Sequence, residues 1–559
     1  MIRTLLLSCW VLLSVLTPQN VRCQDEPIRN PLPVEPSLSG NYGELRPNHF
    51  HAGLDLKTAG REGLDVMAAG EGHVSRIKIS PYGYGKALYI DHPNGTTTVY
   101  GHLQRYSQEI TAYIKEYQVK QKSFEIDIYP GEGDLPINAG QVVALSGNTG
   151  GSGGPHLHFE VRETASEVPR NPIAMGFPID DTKPPVIEAI GIAPIGLGSS
   201  VRNSEKTTHA RVSGSKLATS MPIEVEGVFG IEVNGYDAQS GSYNHNGIYR
   251  VDLVVDDSLI SRFTADSISF DQSRHLNSLI DYPYYYSNRQ RFMRMYRQPG
   301  NYLENLEYRS NGILNLSEGL HGIQVIAYDH EGNTNKVNFE VDVSEGKGPD
   351  ASDSVEMLEW NIPYFYESED CKLFFPHHTV YASIPLNITQ EGLGERPFVH
   401  VFDPWIPVQE AFEIKLRIPE DMPREGLLIA QTNSSGRPSR ALSSTLDGDW
   451  VRALSRNFGD FTLVVDDKAP SISMVNFKQG YTWNTGRIKF VIKDNFSGIQ
   501  RYDAYVNGQW VIMEFEPKQD LVFIDVNDLP HSEEQQELRI EISDMAGNVA
   551  TFEGTLKHP

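Results

Sequence analysis

The chain has 559 residues and a formal net charge of −25. That length exceeds what one hydrophobic core fills, so about three or four domains are expected, and the acidic balance excludes a general affinity for nucleic acid or anionic lipid. The cysteines are Cys9, Cys23 and Cys371, too few for a disulfide scaffold or a cysteine-rich metal site.

Residues 1–23 read as a signal peptide, with Arg3 as the basic start, Leu5 to Leu16 as the apolar core and Val21-Arg22-Cys23 at the cleavage site. No later run reaches the roughly 18–20 apolar residues of a membrane span. The mature protein is therefore expected to be exported, to the periplasm or cell surface of a bacterium, without a transmembrane segment. Residues 24–37, with Pro27, Pro31, Pro33 and Pro36, read as a linker.

Residues 38–180 carry short strand-like runs, His73–Ile77, Ala87–Ile90 and Thr96–Tyr100, punctuated by turn signals such as Pro93-Asn94-Gly95. Ile110, Tyr113, Ile114 and Tyr117 break this pattern at helical spacing and predict a helix over Ser107–Lys122, inserted into a β domain. From residue 181 a weak repeat appears. Asp181-Thr-Lys-Pro-Pro185 resembles the stretch opening at Asp467, Asp237-Ala-Gln-Ser-Gly241 resembles Asp494-Asn-Phe-Ser-Gly498, and Asp329…Gly332-Asn333 resembles Asp544…Gly547-Asn548. Such turns form by hydrogen bonding without a metal; the alternative is that their aspartates bind calcium. The expected class is all-β: a β-rich domain at 38–180 with a helical insertion, then β-sandwiches at 181–347 and 466–559, whose repeated markers resemble bacterial immunoglobulin-like modules, with a further β domain of unassigned role at 348–465.

Chemistry concentrates in two clusters, His51-Ala-Gly-Leu-Asp55 and His156-Leu-His158. They offer imidazole and carboxylate, ligand types that zinc favours. Strand alternation puts His156 and His158 on one face, and does the same for His51 and Asp55 if that stretch is extended. By the same period Thr96, Thr98, Tyr100 and His102 share a face. No His-Glu-x-x-His occurs. His49 has the parity of His51 and is a candidate substrate contact, as is Asn148 within its glycine-rich run.

His51-x-Gly53-x-Asp55, Tyr100-Gly-His102-Leu103 and Ser146-Gly-Asn-Thr-Gly150 leading to His156-Leu-His158 occur in that order. This set resembles the lysostaphin-type, or LytM-like, zinc metalloendopeptidases of peptidoglycan, over about a quarter of the chain. The resemblance implies that His51, Asp55 and His158 bind Zn²⁺, and that His102 and His156 are catalytic without being ligands. It implies further that peptidoglycan is the substrate and hydrolysis of stem or cross-link peptide bonds the reaction. The downstream β domains would then position the enzyme at the wall or at an envelope partner. Against the family's compact pattern, the stretch from His102 to His156 is lengthened by residues 107–136, a candidate wall or cover for the cleft. The rival readings are an inactive wall-binding or hydrolase-regulating protein on the same fold, a peptidase acting on exported protein, and a structural adhesin.

Overall fold

The computed structural model describes residues 28–219, 222–347, 355–391 and 396–559. The signal-peptide segment and the boundary at 348 lie outside them. Among the described residues no helix is long and apolar enough to cross a membrane.

The strand-forming runs of the first domain become β1 (Leu38–Gly40), β2 (Leu54–Lys57), β3 (Gly72–Ile79), β4 (Lys86–Asp91), β5 (Thr96–Gly101), β6 (Ile126–Ile128) and β7 (His156–Glu163). Their order in the sheet is β1-β2-β7-β5-β4-β3-β6, antiparallel throughout. The last strand in sequence, β7, thus enters between β2 and β5 and joins motifs a hundred residues apart. Alternation divides its side chains. Leu157, Phe159 and Val161 enter the apolar core with Leu54, Leu56 and Tyr100, while His156, His158, Glu160 and Arg162 occupy the other face.

The inserted helix α1 spans Gln108–Gln121, buries Ile110 and Ile114, and ends on Lys122 in the left-handed region at φ 50°. Its flank meets the far end of the chain. Lys115 ion-pairs with Asp528, and a groove of about 580 Å³ lies between Thr111, Ile114 and Phe124 on one side and Ile512, Phe523 and Asp525 on the other. The Pro-rich stretch read as a linker is packed over its described residues. Leu32 is buried in the core, and the Met67 amide donates to the Pro31 carbonyl at 2.8 Å.

Beyond 180 the chain forms two-sheet β modules. The first has sheets of five and seven strands, the middle one two sheets of five and a two-stranded pair, and the last sheets of four and five. The first and last share their hairpins: Gly319–Tyr328 with Thr334–Ser344, and Ser532–Asp544 with Val549–His558. Their hydrogen bonds correct the repeat register by one residue. Asp181 accepts from the amides of Lys183 and Ser240, and Asp466, not Asp467, accepts from those of Lys468 and Ser497.

The first domain does not stand apart. One apolar core runs from Leu32 through Val343 and takes in Trp510 and Ile512 of the last module. Segment 38–50 is tied to the first module by the Leu38 amide donating to Gln239 Oε1, the Ile268 amide donating to Tyr42 Oη and the Phe50 amide donating to Ser273 Oγ.

Candidate active site

Register builds the centre. His158 lies directly across from Asp55 on β2 and from Gly101 on β5. A Cβ at Gly101 would stand 3.2 Å from His158 Cβ, so glycine there leaves the imidazole its space. Gly53 serves the approach of β2 to β7, since its Cβ would fall 2.3 Å from the Phe159 carbonyl oxygen.

His51 Nε2, His158 Nδ1 and Asp55 Oδ1 converge. The two nitrogens are 3.0 Å apart, and each is 2.9–3.0 Å from the carboxylate oxygen. These three residues form a group that could hold a metal ion. The outer nitrogens are engaged elsewhere: His51 Nδ1 lies 2.7 Å from the Asn41 carbonyl, and His158 Nε2 lies 2.7 Å from Glu160 Oε1. Carbonyl and carboxylate oxygens only accept, so each outer nitrogen carries the proton and each inner one, in the neutral ring, presents a lone pair. With both rings neutral these three inner atoms are all acceptors, an arrangement that suits a cation. Asp55 Oδ2 is held by Arg46 at 2.5 Å.

The remaining imidazoles border this group. His156 Nδ1 lies 2.8 Å from the Gly154 carbonyl, and its Nε2 lies 3.3 Å from Asp55 Oδ1. His102 Nδ1 lies 2.8 Å from the Thr149 carbonyl, and its ring centre is 4.8 Å from that of His156. Both rings are thus anchored through Nδ1, and the Nε2 of His156 faces the Asp55 carboxylate.

Burial lowers His51 to about 4. Burial, reinforced by the neighbouring His158 and His156, lowers His102 to about 3, so it is neutral near pH 7. Burial acts against charge at His158 too, but with no cation between them hydrogen bonds to Asp55 and Glu160 outweigh it and raise that ring to about 9; a bound metal ion would take the place of the proton on Nδ1. Glu160 is fully buried, yet Arg162 and His158 bring it down to about 2.

Two expectations about how the residues reach the site need correction. His51–Asp55 is not one extended run, because residues 51–53 leave the strand before β2 begins at Leu54. His102 does not share the face of Tyr100, which points into the core against Phe159. It lies one residue past β5 with φ 57°, and this left-handed turn carries its ring across to the His158 side. His49 is exposed, with Nδ1 2.9 Å from the Pro47 carbonyl of its own turn. Asn148 borders the glycine-rich loop, where its carbonyl accepts from Lys518 of the last module.

Sequence reasoning missed Glu160, Arg162, Tyr84, Arg46 and Asn41. Glu160 Oε2 accepts from Arg162 at 2.6 Å, and Oε1 accepts from the Tyr84 hydroxyl at 2.5 Å. The signal for Glu160 and Arg162 was present as strand period: His156, His158, Glu160 and Arg162 alternate onto one face.

Residues 49–122 match the profile of peptidase family M23. They form an M23 peptidase domain. The matched span contains His51, Asp55 and His102, and β7 adds His156 and His158 by strand pairing. Over 129 residues the chain is 33% identical to the DD-carboxypeptidase/endopeptidase Mpg of Neisseria meningitidis, covering 23% of each protein. Over 136 residues it is 30% identical to an uncharacterized metalloprotease of Haemophilus influenzae, covering 24% of this chain and 22% of that one. The chain thus matches about a quarter of the length of these relatives. A zinc-containing peptidase from Vibrio cholerae is 25% identical, covering 28% of this chain and 41% of that one, with a TM-score of 0.21. Residues 355–466 match a Zu5-like domain, separate from the M23 domain.

Proposed function

We propose that the chain is an exported zinc metalloendopeptidase that hydrolyses peptide bonds in peptidoglycan stems or cross-links. The observation that carries this reading is the convergence of His51 Nε2, Asp55 Oδ1 and His158 Nδ1 beside two further imidazoles, those of His102 and His156, each anchored through Nδ1. Tetrahedral ligands at about 2.0–2.1 Å from zinc stand about 3.3 Å from one another, close to the 2.9–3.0 Å found here. Two imidazoles and a carboxylate are a ligand set of catalytic zinc. The name of the Neisseria relative points to the wall peptide as substrate.

Zinc held by these three residues would polarise the scissile carbonyl and lower the pKa of its water to about 7. The chain's own groups handle the protons. His102, kept neutral and oriented by the Thr149 carbonyl, accepts the proton of the attacking water at Nε2. His156, the more exposed of the two and 3.3 Å from the Asp55 carboxylate, is placed beside the same centre to stabilise the developing oxyanion. Glu160 keeps the His158 proton on Nε2 and so reserves Nδ1 for the metal. The completeness of the set favours an enzyme over an inactive binder on the same fold. Digestion of purified peptidoglycan, with mass spectrometry of the products, tests the reading. Chelator-sensitive release of peptide fragments is expected, and intact sacculi with metal-loaded protein would contradict it.

A further inference from the structure

Outside the M23 centre, the repeated aspartates of the first and last modules come together in space. Asp181, Asp237 and Asp329 form one group, and Asp466, Asp494 and Asp544 form the other; within each, one carboxylate oxygen per residue lies within 4.8 Å of the others. We propose that each group binds one hard divalent cation of the calcium class.

Hydrogen bonding within the turns accounts for only part of each group. Asp329 accepts from the Asn333 amide and side chain, and Asp544 accepts in the same way from Asn548. Asp181 is held by Ser240, and Asp466 by the Ser497 amide. Asp237 is different. It is only 7% exposed, and its buried Oδ1 has no hydrogen-bond partner. It lines a cavity of about 30 Å³ together with Asp181, Asp329, Gln239 and Asn246, and the Asn246 Oδ1 in the same cavity is also without a partner. That space suffices for one ion or water molecule. A water brings two protons and no charge, whereas three clustered carboxylates and an amide oxygen call for positive charge. The charges felt by Asp237, those of Asp181 and Asp329, are of its own sign.

The last module repeats the pattern. Asp494 Oδ2 accepts from the Phe496 and Gly498 amides, while its buried Oδ1 has no partner. The hydroxyl of Ser497, a residue 2% exposed whose amide donates to Asp466, is likewise unpartnered. All these donors are oxygen, which selects a hard cation over zinc.

The first site has a structural consequence. Leu38, Asn41 and Tyr42 of the M23 domain line its cavity. Asn41 exchanges two hydrogen bonds of 2.8 Å with Gly247, and its carbonyl orients His51. A cation between the aspartates braces the segment that sets this imidazole.

The test is calorimetric titration of the full chain, freed of divalent ions on a chelating resin, with CaCl₂ to about 10 mM, above the 10⁻⁴–10⁻³ M affinities of extracellular calcium modules. Two equivalents are expected in the wild type, one in Asp237→Asn, one in Asp494→Asn and none in the double variant. His158→Ala should keep both, which separates these sites, and any failure of them, from the M23 centre. Asparagine is isosteric and removes a repulsive charge, so the variants should fold without calcium, as circular dichroism can verify. Calcium should raise the melting temperature of the wild type and leave that of the double variant unchanged. No binding by the wild type, or wild-type stoichiometry in both single variants, would overturn the proposal.

Discussion

At the scale of single residues, the site depends on how each imidazole is held. His51 and His158 present opposite ring nitrogens inward, Nε2 and Nδ1, because a backbone carbonyl fixes one and Glu160 fixes the other. Glu160→Gln removes the charge that keeps the His158 proton in place. Such support is worth about 10–100-fold in metal affinity, and competition with a chromophoric chelator should show a loss of that size; unchanged affinity would exclude the role. Glu160 could have been read from strand parity alone. Asn41 could not, because it acts through its carbonyl, and a backbone group leaves no mark on residue identity. Cys371, 1% exposed, has its thiol pushed up to about 12 by burial. The folded pKa lies above the unfolded one of about 8.5, so any stability the thiol adds is complete below that value and is lost as pH rises towards 12. Iodoacetamide at pH 8 should therefore leave Cys371 unmodified in the native chain and label it after unfolding. Rapid native labelling would mean that the middle module opens.

At the scale of elements, the decisive feature is the insertion of β7 between β2 and β5. Within the first domain the runs His73–Ile77, Ala87–Ile90 and Thr96–Tyr100 and the helix Ser107–Lys122 match the observed elements to within two residues, because period 2 and period 3.6 are local signals. The sequence also announced His156 and His158 as a same-face pair. The routes of the other residues were less legible. A left-handed residue at His102 and the irregular stretch 51–53 both interrupt alternation, and neither leaves a compositional signature at those positions. The resemblance to known motifs supplied what periodicity could not. Gly53 shows how the motif works physically: just before β2, it has no room for a Cβ against the Phe159 carbonyl of β7. Gly53→Ala would force the Phe159 carbonyl aside and separate Asp55 from His158. A cost at the overpacking scale of about 1–3 kcal/mol and a matching loss of bound metal are expected by thermal melting and metal analysis; wild-type values for both would contradict this reading of the glycine.

At the scale of the whole molecule, the M23 domain is built into its neighbours. The first module shares its core, and the last module returns to it through Lys86–Glu514 at 2.7 Å and Lys518, whose ammonium reaches the Asn148 and Ser152 carbonyls of the glycine-rich loop. Tyr42 and Phe50 meet partners more than 200 residues away, and contacts at such separation have no local pattern to reveal them. A chain ending at residue 180 would expose this shared core. It should be poorly soluble or lack a cooperative melting transition, whereas one ending at residue 347 should fold. Equal melting temperatures for the two would show that the M23 domain is independent after all.

Metal analysis of the purified full chain by mass spectrometry, run in parallel on His158→Ala and His102→Ala, addresses the division of labour among the histidines most directly. One equivalent of zinc is expected in the wild type and in His102→Ala, with turnover on peptidoglycan lost in the latter by about 10²–10⁴-fold, and none in His158→Ala. A full equivalent retained by His158→Ala, or zinc lost from His102→Ala, would contradict the assignment.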